Sequence, residues 1–430
     1  MTPMIWSIVI FAASIVLYAT HIIPMGITSM LTVLAYVLAG CLDTPTALAG
    51  FSDSTAVIYA SMYVLAAGFN RTSFMKRLSD WIIRVTGNSM RRVWLAYLLL
   101  TGLLTSLIPS PISAFVVVAP LCINTAKSFG EKPGKYLFAL AAVSIGYCFT
   151  LPFGSSISQS ALCNSFFVTY GLGDYTMQIT DAFKARWPAM IVLMTWAYFV
   201  APKCAPKEPD QAPCYELLMS SEEAKPLSKF SEIAGPIVFF LSIVLMVLGR
   251  FVGIATWQAC IIGALLMVTC RVLTPQEAYD ALPVSVILIF VGAVATGKAL
   301  VNTGAGELVG DWLALITGNT RSNLLVAVIS YLIPYLLTQV LLNSGVSALV
   351  RPILLLICSS LGANPVGSML LMLSASVSGF MSPMSTPVVP ACMELSGYKT
   401  PAMVRQGWLI SILMAVVQIF WIMHVFPAFG

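Results

Sequence analysis

The residues best able to do chemistry in this chain are small, uncharged and set in apolar sequence. The stretch Thr338-Gln-Val-Leu-Leu-Asn343-Ser344-Gly345-Val-Ser347-Ala-Leu-Val-Arg351-Pro352 places Asn, Ser and Gly inside a segment that otherwise suits lipid. Irregular backbone at membrane depth persists where protein buries it or where it lines a wet cavity. A polar, Gly-containing interruption of this kind marks a transport site. The competing reading is a packing motif, in which small residues let helices approach closely. Recurrence favours the former. Pro109-Ser110-Pro111-Ile112-Ser113 interrupts another apolar run, and two more break at Thr150-Leu-Pro152-Phe-Gly154-Ser155-Ser156 and at Ser382-Pro383-Met-Ser385-Thr386-Pro387. Half-helix N-termini facing such breaks suit an anion. Unwound carbonyls and Ser, Thr and Asn oxygens suit a weakly hydrated cation such as Na⁺. A cation beside an anion offsets part of the anion's desolvation, which is the physical basis of symport.

Other chemistries lack their residues. There is no HExxH, no pair of intramembrane carboxylates and no Gly-rich phosphate loop, so no enzyme is expected, and nothing points to nucleic acid. His21 and His424 are too far apart to suggest a metal centre, and the ten Cys show no paired spacing. The ionisable residues within apolar runs are Lys298, Arg351 and Glu394. Lys298 and Glu394 fall near span ends, where a long side chain can snorkel. Arg351 is the better candidate for an anion contact or a donor that steadies the tip.

The elements that must position these residues are helices in a bilayer. Of 430 residues, 59% are hydrophobic and 9% charged, against about a quarter charged in soluble proteins. The expectation is an all-α polytopic membrane protein with no soluble domain. Residues 4–18 lack a basic flank and a cleavage site and read as a retained span. Spans are expected at 4–20, 23–41, 54–70 and 187–201, with a re-entrant hairpin over 93–126 (tip 109–113) and a broken helix over 136–170. After a solvated linker, 202–231, spans follow at 233–250, 256–272, 284–301 and 405–427. A second hairpin covers 322–361 with its tip at Asn343–Gly345, and a second broken helix starts at 367. Residues 71–92 and 304–319 read as amphipathic.

The two parts, 1–201 and 232–430, align at near-constant spacing. Val85-Thr-Gly-Asn88 matches Ile316-Thr-Gly-Asn319 at 231 residues, Pro120 matches Pro352 at 232, and Phe149 to Ser155 matches Phe380 to Thr386 at 231. Such spacing signals an internal repeat, common in transporters. Five full crossings plus one hairpin per repeat is an odd number, so the repeats must be inverted. With the N-terminus outside, sixteen Lys and Arg fall in the cytoplasm. Five (Lys184, Arg186, Arg250, Lys298 and Arg321) fall outside. That bias places the linker in the cytoplasm and both termini outside. The first hairpin then enters from the cytoplasm and the second from outside.

These motifs resemble the divalent anion/Na⁺ symporter (DASS) family of the ion-transporter superfamily. The family's second hairpin tip, Thr-Glu-x-x-Ser-Asn-Thr-Ala-Thr-x-Ala-x-x-x-Pro, is similar to the Thr338–Pro352 stretch. Phe380-Met381-Ser-Pro383-Met-Ser385-Thr386-Pro387 resembles its Phe-Met-x-Pro-x-Ala-Thr-Pro. Phe290 to Gly304 resembles its Gly-rich span followed by Gly-Lys-Ala and Thr-Gly. The resemblance implies a homodimeric, elevator-type secondary transporter, and the expected location is the inner membrane of a bacterium. It implies dicarboxylates, tricarboxylates or sulfate as the small anionic substrate, with Na⁺ as coupling ion. Alternatives are anion exchange, oxyanion or metalloid efflux, and Na⁺/H⁺ antiport.

Carried over by position, the substrate residues are Ser110, Pro111, Ile112, Ser113, Asn343, Ser344, Gly345, Thr386 and Pro387. The cation residues are Ser110, Gly146, Thr150, Gly154 and Ser155 in the first half, and Asn343, Ser344, Ser382, Ser385 and Thr386 in the second. The chain departs from the family at the first tip, where Ser110-Pro111-Ile112 stands for Ser-Asn-Thr. Proline offers neither a side-chain polar atom nor a backbone N–H. The expectation is a substrate held chiefly by the second tip, with an apolar portion facing Pro111 and Ile112.

Overall fold

The computed structural model describes residues 3–20, 22–74, 77, 84, 89–107, 111–152, 155–206, 208–213, 227–305, 322–339, 343–383 and 385–429. Among these there is no β-strand. The helices of the first half are α1 (Pro3–Thr20), α2 (Met25–Leu38), α3 (Thr44–Leu48), α4 (Ser54–Arg71), α5 (Met90–Leu107), α6 (Pro111–Ser128), α7 (Gly134–Gly146), α8 (Ser155–Thr169), α9 (Asp181–Phe199) and α10 (Ala201–Cys204). Those of the second are α11 (Lys229–Val252), α12 (Thr256–Thr269), α13 (Pro275–Asp280), α14 (Val284–Asn302), α15 (Asn323–Leu337), α16 (Asn343–Leu361), α17 (Pro365–Ser376), α18 (Val388–Ser396) and α19 (Thr400–Val425). The spacing seen in the sequence recurs in the helix ends. The bounds of α2 and α12 lie 231 residues apart, the starts of α7 and α17 lie 231 apart, and those of α6 and α16 lie 232 apart.

Apolar side chains lie bare along many helix faces, among them Leu99, Ile191, Leu241, Leu332, Ile412 and Phe420. Exposed apolar surface on this scale fits a lipid environment rather than water. α19 and the stretch Lys229–Met246 of α11 are each long and apolar enough to cross a bilayer unbroken.

Both hairpins are present. The Tyr97 and Thr125 hydroxyls hydrogen-bond at 2.9 Å, pairing the start of α5 with the end of α6, so the two arms run antiparallel. In the second hairpin, Leu325 and Val326 of α15 and Cys358 and Leu361 of α16 line one crevice, again start against end. Pro111 stands at the first helical position of α6, where its missing N–H costs nothing. The second tip departs from expectation: Asn343 to Gly345 form the first turn of α16, so the chain reversal precedes Asn343. Residues 78–83, 85–88 and 306–321, which carry most of the expected amphipathic segments, lie outside the described residues.

Both broken helices are present as well, with breaks that begin earlier than the polar residues suggest. α7 ends at Gly146 and α17 at Ser376, so the breaks begin at Tyr147 and Val377. Phe149 takes a left-handed backbone, φ 56°, which costs a bulky residue about 1–2 kcal/mol. The Phe149 N–H donates to Ser155 Oγ at 3.2 Å, which helps hold it there.

The core is divided, and the halves exchange pieces. α8 of the first half buries Leu162, Cys163, Phe166 and Phe167 in one cluster with Leu349, Leu354 and Leu373 of the second. α18 of the second half buries Val388, Val389, Cys392 and Leu395 with Leu137, Phe138 and Ala141 of the first. Each helix that follows a break therefore sits in the core of the opposite half, and the breaks meet where Gly146 approaches the Phe380 ring.

The segment read as a solvated linker is docked over its described beginning. Tyr398 Oη donates to Pro206 O at 3.1 Å, the Gln211 N–H to Gly397 O at 3.0 Å, and the Lys399 N–H to Asp210 Oδ2 at 2.9 Å. Gly397 closes α18 with φ 71°, and a Cβ there would collide with Gln211 O.

Candidate functional site

Hydroxyl-to-carbonyl bonds knit each hairpin to the break beside it. In the second half, Thr338 Oγ1 donates to Asn343 Oδ1, and the Asn343 N–H donates to Ser385 O at 3.2 Å. Ser385 Oγ donates in turn to Gly379 O and to Ser382 O. Gly379 is needed there, because a Cβ would stand 2.9 Å from Thr338 Cγ2 and 3.0 Å from Ser385 Cβ. In the first half, Ser144 Oγ donates to Pro111 O at 2.6 Å, and Ser106 Oγ to Tyr147 O at 3.2 Å.

A cavity of about 170 Å³ lies where α8, α14, α16 and the end of α17 meet. α8 contributes Ser155, Ser158 and Gln159, and α16 contributes Asn343, Ser347 and Arg351. Phe149, Phe166 and Phe290 supply apolar wall. Ser155 and Asn343 are the first residues of their helices, so two helix N-termini, each carrying a partial positive charge, border one enclosed space. Arg351 is 5% exposed, and its guanidinium lies 5.1 Å from the Phe166 ring centroid. No carboxylate pairs with it among the described ion pairs. Arg351 Nε and Ser158 Oγ are buried without a partner among the described residues. Unmet buried donors facing a cavity of this size fit a small anion with several acceptor oxygens.

The structure brings together part of the expected set. Asn343 and Ser155 line the cavity. Gly345 lies in the first turn of α16, one residue past Ser344. Pro111, Ile112, Thr386 and Pro387 do not line the cavity. Ser110 and Gly154 lie outside the described residues, and Ser113 and Ser344 are placed only as positions on α6 and α16. Lys298 lies on a separate, wider cleft of about 1040 Å³, across α8 from the cavity, together with Asp53, Ser165 and Asn302. Ser165 Oγ donates to Asp53 there at 2.6 Å. Glu394 is exposed on α18.

The two breaks differ as cation sites. At the second, Thr386 Oγ1 is buried without a partner among the described residues, close in sequence to the carbonyls of Gly379 and Ser382. That donor set fits a small oxygen-liganded cation. At the first, those of the expected residues that are described take part in hydrogen bonds. Arg186 Nη2 donates to Gly146 O at 2.7 Å, and Nη1 donates to Cys148 O. Thr150 Oγ1 also donates to Cys148 O, at 3.2 Å, and Ser155 Oγ accepts from Phe149.

Arg186 was expected outside the membrane with Lys184. It is instead 2% exposed and buried within α9. α9 starts six residues before the expected span because its buried face, Ala182, Ala185, Ala189 and Leu193, runs through Arg186 at helical spacing. That small-residue periodicity was the signal available in the sequence.

A family model described as a citrate transporter matches residues 8–341. The sodium-dependent dicarboxylate transporter SdcS of Staphylococcus saprophyticus is 23% identical over 448 residues, covering 95% of this chain and 84% of that protein. The uncharacterized transporter YfbS of Escherichia coli is 27% identical over 138 residues, covering 32% of this chain and 22% of that protein. Among solved structures, the Alcanivorax borkumensis YdaH transporter superposes with a TM-score of 0.60 at 13% identity, over 90% of this chain and 89% of that one. Neisseria gonorrhoeae MtrF, described with a class of antimetabolite efflux pumps, gives 0.58 at 12% identity, over 100% and 96%. These likenesses concern the fold.

Proposed function

The chain belongs to the citrate transporter family, and from that premise we propose that it is a secondary transporter carrying a small carboxylate anion, of the dicarboxylate class, together with Na⁺. The observation that carries this reading is the cavity where buried Arg351 Nε and Ser158 Oγ lack partners among the described residues and the N-termini of α8 and α16 converge. One carboxylate meets Arg351, and a second can reach the Ser155 or Asn343 end. The aromatic wall takes the carbon chain between them. At the second break, Thr386, Ser382, Ser385 and Asn343 are the residues that would hold the sodium ion. The chemistry on offer is binding and release, with no nucleophile or general base in place, in keeping with a transporter rather than an enzyme.

Alternating access would follow the elevator scheme. Residues 1–201 and 232–430 form two inverted repeats, joined by a cytoplasmic connector at 202–231, with both termini outside. The hairpins α5–α6 and α15–α16 travel with the broken helices as one body. α1, α2, α4, α11, α12 and α14 remain as the frame, and two copies of the chain pair through their frames. The wide cleft supports an outward-open form. Its wall is built from 46–54, 164–179, Thr256 and the end of α14, all of which this orientation puts outside.

The deciding experiment is uptake of labelled succinate, citrate and sulfate into proteoliposomes, with and without an inward Na⁺ gradient. Gradient-stimulated succinate or citrate uptake is the expected result. Sulfate uptake alone would move the chain to an inorganic-anion class, and uptake indifferent to Na⁺ would remove the coupling.

A further inference from the structure

The structure assigns to Arg186 the place of a coupling cation: its guanidinium is a fixed, protein-borne positive charge in the carbonyl cradle of the first break. The argument begins with what that cradle offers. α7 stops at Gly146, so its last carbonyls have no intrahelical donor and carry the partial negative charge of a helix C-terminus. In a transporter such a cradle is where an alkali cation binds. Here two of its carbonyls, Gly146 O and Cys148 O, accept from the two terminal nitrogens of one guanidinium. Nearby, Thr150 Oγ1 also donates into the cradle, Ser155 Oγ accepts from Phe149, and Ser156 Oγ is buried without a partner among the described residues.

The charge itself is unusual. Arg186 is buried, pairs with no carboxylate among the described ion pairs, and leaves Nε without a partner. An isolated buried cation is costly, and here the groups that meet it are the carbonyls a dissociable cation would otherwise use. A side chain used only to cap a helix end could do so from the surface. This one is carried inward by the Ala182, Ala185 and Ala189 face of α9. At the second break no such side chain appears among the described residues, and Thr386 Oγ1 remains unmet. The two breaks therefore divide the work: one holds a permanent charge, and the other exchanges its cation with solution.

This inference rests on the sodium-coupled reading above, and its test does not require transport. Purified full-length protein is assayed by equilibrium binding of radioactive sodium, for the wild type, Arg186→Gln and Arg186→Lys. Monodisperse elution and unchanged helical circular dichroism serve as the check on folding. The expected result is one more sodium ion bound per chain in Arg186→Gln than in the wild type, and no gain in Arg186→Lys, which keeps the charge. A folded Arg186→Gln with the wild-type count overturns the assignment. So does a gain in Arg186→Lys equal to that in Arg186→Gln, since charge would then not be what excludes sodium. If neither variant folds, the wild-type count decides: fewer than two ions per chain supports the assignment and two overturns it. Loss of carboxylate uptake would sink the transport reading and leave these counts standing.

Discussion

Arg351 carries its charge into a cavity walled partly by Phe149, Phe166 and Phe290, with no carboxylate paired to it among the described ion pairs. A buried, unpaired charge lowers stability, and such residues are retained where function uses them. Stability and affinity should therefore move in opposite directions on substitution. Arg351→Met is expected to leave the thermal midpoint of the substrate-free protein unchanged or higher. A charge-assisted hydrogen bond is worth about 1.5–3 kcal/mol, so KM for the transported carboxylate should rise about ten- to a hundredfold. A lower midpoint with KM unchanged would mean that Arg351 only packs against Phe166. Asn343→Ala belongs beside it, because the Asn343 side chain both borders the cavity and accepts from Thr338 Oγ1 across the second tip. That variant is expected to insert normally and to lose uptake, and near-normal uptake would reduce the tip to a packing motif. Arg351 was legible in the sequence because an arginine amid apolar residues stands out. Arg186 was not, because a charged residue near the end of an apolar run looks like a boundary, and only its carbonyl partners reveal it as interior.

Among the elements, the breaks were legible and their lengths were not. Prolines and small polar residues at 150–156 and 382–387 announce a broken helix, but the backbone leaves the helix earlier, at Gly146 and Ser376. Phe149 and Val377 continue the hydrophobic pattern because the cavity needs wall there. The short helix α13 lets an element be tested by pH. Thr274 and Glu277 cap it reciprocally, with Thr274 N–H to Glu277 Oε2 at 2.7 Å and Glu277 N–H to Thr274 Oγ1 at 3.2 Å. Arg71 at the end of α4 meets Glu277 Oε1 at 3.3 Å. The Thr274 backbone bond, more than its hydroxyl or Arg71, holds the Glu277 carboxyl below its ordinary value, against a smaller opposing effect of burial. A depressed pKa stabilises the fold while the carboxylate is charged, and that contribution fades as pH falls through the depressed value. The midpoint difference between wild type and Glu277→Gln should thus be full at neutral pH and shrink on acidification below the ordinary 4.5. A difference that grew on acidification would contradict the cap.

For the molecule as a whole, three short sequence matches suggest the proposed repeat, and several helix ends follow the same spacing. The exchange of α8 and α18 between cores could not be read from them, because a repeat fixes which segments correspond and not which cluster each one joins. The proposed orientation rests on the charge bias, and taking the buried Arg186 out of the count leaves four cations on the proposed outer side against sixteen, which keeps the direction of the bias. With Cys204 replaced, Asp174→Cys and Glu208→Cys, both at exposed positions, should label from opposite faces with an impermeant maleimide. Labelling from one face would overturn the inverted arrangement.

The docked start of the connector also bears on how the chain is made. Its partners lie far downstream: 192 residues separate Pro206 from Tyr398, and 189 separate Asp210 from Lys399. During synthesis, residues 206–211 emerge and wait while nearly the whole second half is made and inserted. Their backbone groups find partners only once the chain has passed Lys399. The seam is therefore a record of completion. A chain stopped short of α18 would leave Pro206 O, the Gln211 N–H and Asp210 without these partners, and a finished one engages them. Quality control could then discard half-built transporters without inspecting anything inside the membrane.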